Sequence, residues 1–327
     1  MKKLLSFLFL GTAALAAAAQ TPQPAAAAAY PNRPIRIVVA YPAGGVSDNV
    51  ARSLADRLAG PLGVPVVIEN KAGASGGIGM DAVAKAAPDG YTLGFSAISP
   101  LVLNPHLGAT PFDAVRDIAP VASVMYSPVV VLGTSALAAR DFKSLLSFAN
   151  THPGAVRWAT SGNASLGHLM LAQLKSATRT DITHIPYKGG GQQLNDALGG
   201  QFEVLSTNAA PAIVAQVKAG KLKPLAVGAP ARLASLPEVP TLAELGFGAA
   251  NLSSVFGVFA PGQTPAAVVQ RLNTEINRIL ATPEFRNQLL AADNVATRMS
   301  PAEFAREIAE QSAGNARIIK LAGIKAE

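Results

Sequence analysis

From Pro34 onward, short runs of β-branched and apolar residues alternate with segments whose apolar positions recur three and four residues apart. The first run, Ile35-Arg36-Ile37-Val38-Val39-Ala40, predicts a strand that ends in the turn sequence Tyr41-Pro42-Ala43-Gly44-Gly45. A helix follows, with Ser47 as its expected N-cap and Val50, Leu54 and Leu58 on one face. Residues 64–69 predict a second strand, about 78–87 a second helix, and 91–95 a third strand. The middle of the chain repeats the design. An apolar run at 127–132 precedes a helix over 141–150, and a strand over 156–160 feeds the polar turn Ser161-Gly162-Asn163-Ala164-Ser165. The next helix starts near Leu166 and carries Leu169, Leu171 and Leu174; residues 202–205 and 222–227 then read as strands. Near the C-terminus, Thr264-Pro265 predicts an N-cap followed by proline at the first helical position, and Ser300-Pro301-Ala302-Glu303 is a capping box. Strand–helix–strand order at this spacing means an α/β protein with parallel sheets and right-handed crossovers. A length of 327 residues suggests two domains. No low-complexity linker follows Pro31, so the expectation is two lobes joined by strands that cross a hinge.

The N-terminus departs from this pattern. Met1-Lys2-Lys3, a short apolar run over residues 4–10 and an alanine-rich stretch have the form of a signal peptide, expected over residues 1–29. Cleavage fits after Ala19 or after any of Ala25 to Ala29. The apolar run is too short to span a bilayer, and no other segment is long enough. A soluble periplasmic protein is the expectation. Composition agrees with a folded chain: 50% hydrophobic, 14% charged, no cysteine. Disorder, a disulfide scaffold, a thiol nucleophile and a cysteine-ligated metal are thereby excluded. Loss of Lys2 and Lys3 with the leader would leave 25 basic residues against 20 acidic. The basic residues do not read as a nucleic-acid footprint, because the densest run, Lys218, Lys221 and Lys223, has no aromatics between its members. Lys71, Lys188 and Arg232 are expected near the cleft, where they would steer an acidic solute.

Two turns share one chemistry. Residues 41–48 and 161–165 each join a strand end to a helix start with small or hydroxyl residues, where unpaired backbone N–H groups and the helix dipole attract anions. Facing each other across a cleft, they would clamp one small anion; taken singly, Gly44 and Gly45 need do no more than make a tight turn. Gly73-Ala74-Ser75-Gly76-Gly77 matches the G-x-S-x-G nucleophile elbow, which raises a secreted serine hydrolase using Ser75 as the alternative. Against it, Ser75 lies five residues beyond Asn70, and the last histidine, His184, comes too early for the hydrolase order. Gly77-Ile78-Gly79-Met80-Asp81-Ala82 matches G-x-G-x-x-A but has no acidic residue where a ribose partner belongs. His106, His152, His168 and His184 lack metal-binding spacing, so neither metal nor cofactor is expected. His168, in the first turn of its helix, has a simpler role available in fixing the 161–165 turn.

Taken together, Tyr41-Pro42-Ala43-Gly44-Gly45-Val46-Ser47-Asp48, Glu69-Asn70-Lys71-Ala72-Gly73-Ala74-Ser75-Gly76-Gly77, Pro88-Asp89-Gly90-Tyr91-Thr92, residues 161–169, His184-Ile185-Pro186-Tyr187-Lys188-Gly189-Gly190-Gly191 and Leu236-Pro237-Glu238-Val239-Pro240-Thr241-Leu242 resemble the Bug-type extracytoplasmic solute receptors of the tripartite tricarboxylate transporter family. The resemblance runs from about Tyr30 to Ile324. It implies a two-lobed periplasmic binding protein of type II, with parallel or mixed sheets flanked by helices and an interlobe cleft. The first lobe would combine residues 30–131 and 253–327, the second residues 132–252. It further implies a monomer that captures a small carboxylated solute (a di- or tricarboxylate, an acidic amino acid or an aromatic carboxylate) for the membrane subunits of a transporter, with no catalysis. A sensory role, passing the liganded state to a membrane sensor, fits the same fold. By motif position the ligand-binding residues would be Tyr41, Ala43, Gly44, Gly45, Ser47 and Asp48 from the first turn, and Ser161, Asn163, Ser165 and His168 from the second. Asp48 would position its helix, Tyr187, Lys188 and Gly189 would close one side, and Asn208 would select the distal end of the solute. Ala164 stands where the family usually has glycine and Val255 where tryptophan is common, the latter expected to reshape the cleft. Ser99-Pro100 and Ser206-Thr207-Asn208 fall where the family varies and would set ligand choice.

Overall fold

The computed structural model describes residues 30–108 and 110–322; the expected leader, residues 1–29, lies outside them. The first half-sheet is built from β1 (Ile35–Val39), α1 (Val46–Leu62), β2 (Val66–Asn70), a 3₁₀ turn at Ala74–Gly76, α2 (Gly77–Ala84) and β3 (Thr92–Ala97). Two one-turn helices, α3 (Ser99–Val102) and α4 (Asn104–Leu107), lead to the long strand β4 (Ile118–Gly133). Then come α5 (Phe142–Thr151), β5 (Val156–Thr160), α6 (Leu166–Thr178), β6 (Ile182–Pro186), α7 (Gly190–Leu198), β7 (Val204–Asn208), α8 (Pro211–Lys218) and β8 (Lys223–Gly228). After a 3₁₀ turn at Gly248–Ala250, the chain closes with β9 (Ser253–Pro261), α9 (Ala266–Leu280), α10 (Pro283–Leu290), β10 (Val295–Ala296) and α11 (Pro301–Ala322).

The strands form two sheets that share β4. In the first, β2, β1 and β3 are parallel, and β9 joins antiparallel between β3 and β4, with β10 on the other side of β4. The partner of β4 changes at Pro128 and Val129: residues 118–128 pair with β9, whereas residues 129–133 pair with β7 and β8. In the second sheet β7, β5 and β6 are parallel. The parallel βαβ units read from the sequence are therefore present, and the antiparallel β4 and β9 make both sheets mixed. β9 and the first half of β4 escape a periodicity reading, because a strand buried on both faces does not alternate.

Helix boundaries differ from expectation in instructive places. α1 begins one residue past Gly45, not at Ser47, and α9 is capped by Pro265 rather than Thr264. The Ser300 box forms as read, with Ser300 N–H donating to Glu303 Oε2 at 2.8 Å and Glu303 N–H to Ser300 Oγ at 3.3 Å. Each sheet has its own core. Val38, Met80, Phe259 and Phe304 pack on the first, the two phenyl rings 5.5 Å apart. Trp158, Leu171, Leu174 and Val131 pack on the second. From Pro31 the chain forms one compact unit, so the two sheets meet directly rather than through a linker.

Candidate functional site

Four strand-to-helix turns open onto one cavity of about 90 Å³ between the sheets. The β1–α1 turn contributes Gly45, Val46 and Ser47 from the first sheet; β5–α6 contributes Ser161, Ser165 and Gly167 from the second. The β6–α7 turn adds Gly190 and Gly191, and β7–α8 adds Asn208, Ala210 and Ala212. All four turns leave the carboxyl ends of strands in parallel βαβ units, where open α/β sheets place ligands. The first-turn N–H groups of Val46, Ser47, Leu166, Gly167, Gly190 and Gly191 have no intrahelical acceptor, and among the described residues none has a backbone partner elsewhere. Every residue lining the cavity is uncharged. Positive potential there comes from helix N-termini rather than from a lysine or arginine.

The walls are held by groups behind them. Asp48 faces away from the cavity and is buried; its carboxylate accepts from Gly44 N–H at 2.9 Å, Arg52 Nε at 3.0 Å and Asn70 Nδ2 at 2.9 Å. Burial alone would raise its pKa, but these bonds and the Arg52 charge outweigh it and hold the carboxyl below its usual 3.8. Asp48 is thus the residue that folds the β1–α1 turn. On the opposite side Ser165 caps α6, accepting from His168 N–H at 3.2 Å, and His168 Nδ1 accepts from Ala164 N–H at 3.2 Å. The His168 ring stacks on His184 at 4.2 Å, and His184 Nε2 pairs with Thr160 Oγ1 at 2.7 Å. His168 therefore fixes the turn and does not line the cavity. Tyr41 does line it; burial, only partly offset by the Ser96 hydroxyl and Ala97 backbone, pushes its phenol up to about 12, so it stays neutral.

Of the residues expected to bind, Tyr41, Gly44, Gly45, Ser47, Ser161, Ser165 and Asn208 reach the cavity. Ala43, Asp48, Asn163, His168, Tyr187, Lys188 and Gly189 do not. Tyr187 turns its hydroxyl to Asp196 Oδ2 at 2.7 Å, and Lys188 is exposed. Gly189 abuts Pro42 of the facing turn: a Cβ there would lie 2.5 Å from Pro42 Cδ. It is the next two glycines that line the wall. Lys71 and Arg232 are paired with Glu69 at 3.2 Å and Glu244 at 3.0 Å rather than directed into the cleft. Val255 is 1% exposed and packs in the core; its strand neighbours Ser254 and Phe256 face the cavity instead. Asn208 donates to Ser254 Oγ at 2.8 Å and Ser127 O at 3.3 Å, which ties β7 to β4 and to β9 of the first sheet. Sequence reasoning missed the apolar wall formed by Val129, Leu194, Ile213 and Phe256, residue types that carry no chemical signature. It also missed the α8 end, although Ala210-Pro211 is a legible helix start with proline at the first position.

Ser75 stands outside the cavity wall, 3% exposed, in the 3₁₀ turn rather than at a strand end. Its hydroxyl donates to the carbonyl oxygen of Asn163, which cannot serve as a general base. Gly79 of the G-x-G match has a packing role: a Cβ there would lie 2.7 Å from Ala40 Cα, so glycine lets α2 sit on the end of β1. Among the described residues no group of three or more potential metal ligands occurs, and no helix is long and apolar enough to cross a membrane.

Comparison with known proteins places these features. Residues 50–324 match the profile of TctC, the tripartite tricarboxylate transporter family receptor. The chain is 38% identical to protein BugT of Bordetella pertussis over 275 residues, which is 84% of this chain and 82% of BugT. Among solved structures it is similar to the periplasmic binding protein BugD, with a TM-score of 0.85 and 30% identity over 91% of this chain and all of that one. R. palustris Rpa4515 with adipate gives 0.85 and 31% identity, covering 90% and 99% of the two chains. MatC from Rhodopseudomonas palustris with bound malate gives 0.84 and 28%, covering 89% and 100%.

Proposed function

The chain belongs to the tripartite tricarboxylate transporter receptor family, and from that premise we propose that it is a non-catalytic periplasmic receptor for a small organic carboxylate. The observation that carries this reading is the convergence of four helix N-termini on one uncharged cavity. A carboxylate placed between α1 and α6 would accept from the Val46, Ser47, Leu166 and Gly167 N–H groups, with one helix dipole on each side. No side-chain cation competes for it, so recognition rests on position. In this reading the two sheets and their helices act as lobes, residues 30–131 with 253–327 against 132–252, and the solute bridges them. Because it touches both, it favours the closed form by its differential affinity, and closure is what a membrane permease would read. Adipate and malate in the relatives' structures support a carboxylate as the class. The cavity, about 90 Å³, is smaller than the ~150 Å³ that admits benzene, which favours the more compact of the two.

A thermal-shift panel tests this on the mature protein, with malate, adipate and their uncharged diamides. Binding to the folded state at 100 times Kd stabilises by about 2.7 kcal/mol, a rise in Tm of roughly 4 °C for a chain of this length. The expected result is a shift with malate, a smaller one with adipate and none with the diamides. Equal shifts from acids and diamides, or none from any carboxylate after refolding from denaturant, would remove the anion clamp. Ser165→Ala should weaken the malate response while costing about 0.5–2 kcal/mol of stability through loss of the α6 cap.

A further inference from the structure

The Ser75 loop is unusual in its backbone and in its reach. Gly73, Ala74, Ser75 and Gly76 all have positive φ, at 132°, 47°, 51° and 95°. Ala74 and Ser75 are consecutive L-residues in the left-handed region, where Cβ crowds the following carbonyl. Such backbone persists only where its surroundings over-determine it, and it clusters at sites that use it. Here Tyr41 OH donates to Ser75 O at 3.3 Å, Asn104 Nδ2 to Ala74 O at 3.4 Å, and Gly76 N–H to Gly73 O at 3.0 Å. These three bonds come from the first-sheet side. They present the Ser75 hydroxyl to the opposite side, where it donates to the carbonyl of Asn163.

Asn163 lies in the β5–α6 turn, between the cavity-lining Ser161 and Ser165. The turn's other bonds are local to its own side: Thr160 Oγ1 to Gly162 O at 3.1 Å, Ser165 N–H to Gly162 O at 3.2 Å, and Ala164 N–H to His168 Nδ1 at 3.2 Å. Ser75 supplies a bond to this turn from across the cleft. Gly162 makes the approach possible, since a Cβ there would lie 2.5 Å from Ser75 Oγ and 3.1 Å from Tyr187 O.

We infer that Ser75 is a positioning residue for solute binding: it latches the β2–α2 turn of the first sheet to the β5–α6 turn in the closed form and sets that turn's N–H groups against the solute. It touches neither the solute nor the cavity, and it performs no bond-making chemistry. The inference rests on the reading that the cleft closes over a solute. Loss of one such bond costs about three- to tenfold in an equilibrium. The effect should fall on release, because the bond exists only after closure.

The sequence has no cysteine, so Asp56→Cys on α1 and Lys143→Cys on α5, both exposed positions, form a unique spin-label pair across the cleft. Distance distributions of the full mature chain are measured without solute and with malate or adipate, alongside dissociation rates for whichever binds. Ser75→Ala and Ser75→Gly should each lower the closed-to-open ratio about three- to tenfold and speed dissociation by a similar factor, with association within about twofold of the parent. The glycine variant separates the latch from a purely structural role, which would move closure and unliganded Tm together. Glycine suits the left-handed backbone, so Ser75→Gly should keep or raise the unliganded Tm while losing closure as Ser75→Ala does. If Ser75→Ala folds poorly, the glycine variant carries the test. Closure and release equal to the parent in both variants would overturn the latch, and so would a parent with no short-distance population under any condition. The carboxylate reading fails separately: a Ser75-dependent closed population in a protein indifferent to malate and adipate keeps the latch and removes that reading.

Discussion

Ala164 holds φ 57 in the turn before α6, a left-handed backbone carried by an L-residue next to the cavity-lining Ser165. This is the position where the resemblance leads one to expect glycine, and the dihedral supplies the reason. Ala164→Gly should therefore raise unfolding stability by roughly 0.5–1 kcal/mol in a urea titration, with the cavity lining unchanged. Asp48 gives a prediction with a sign. Its folded pKa is held below 3.8, so its contribution is fully present above about pH 4, near the unfolded value, and is lost as pH falls through the folded one. Asp48→Asn keeps the shape but removes the charge facing Arg52. The variant should be less stable than the parent by roughly 1–2 kcal/mol at pH 7, and the gap should narrow as pH falls from about 4 through the folded pKa. A gap that persists unchanged into acid would mean that shape, not charge, holds the turn. At this scale the sequence was only partly legible. Gly45, Ser47, Ser161 and Ser165 sit where a strand–turn–helix pattern puts them. The motif could not tell a residue that touches the cavity from one that supports it, and Asp48 and His168 belong to the second kind.

At the level of elements, glycine at close contacts decides how helices dock. A methyl at Gly79 would meet Ala40 Cα and Cβ and the Lys71 carbonyl, all within 2.9 Å, and backbone cannot step aside as a side-chain tip can. Gly79→Ala should cost roughly 1–3 kcal/mol by pushing α2 off β1, measured by chemical denaturation. In the second sheet, Trp158 is fully buried and donates its indole N–H to Ser206 Oγ at 3.0 Å. Trp158→Ala should lose about 3–5 kcal/mol and free the Ser206 hydroxyl, which lines the cavity. Parallel strands and amphipathic helices were legible because their periods of two and 3.6 survive in composition. The G-x-G and G-x-S-x-G matches misled for one reason: glycine spacing records close approach, and close approach serves packing as readily as phosphate or nucleophile.

In the whole molecule the decisive feature is β4, whose partners change at Pro128 and Val129, so that one continuous strand belongs to both sheets. Asn208 ties the second sheet to this strand and to β9. Asn208→Ala would take both ties away and should broaden the spin-label distance distribution between the sheets even without solute; an unaltered distribution would show that pairing along β4 suffices. What the chain determined by itself was everything set by neighbours in sequence: the strand–helix alternation, the capping box at Ser300, and turns rich in glycine and serine that leave N–H groups unpaired. Tertiary structure alone decided that four such turns share one cavity, that Val255 turns inward while Ser254 and Phe256 face it, and that Ser75 meets Asn163 from 88 residues away. Local backbone preference acts over a few residues. The meeting of distant turns depends on which strands pair, and pairing is settled by burial summed over both sheets.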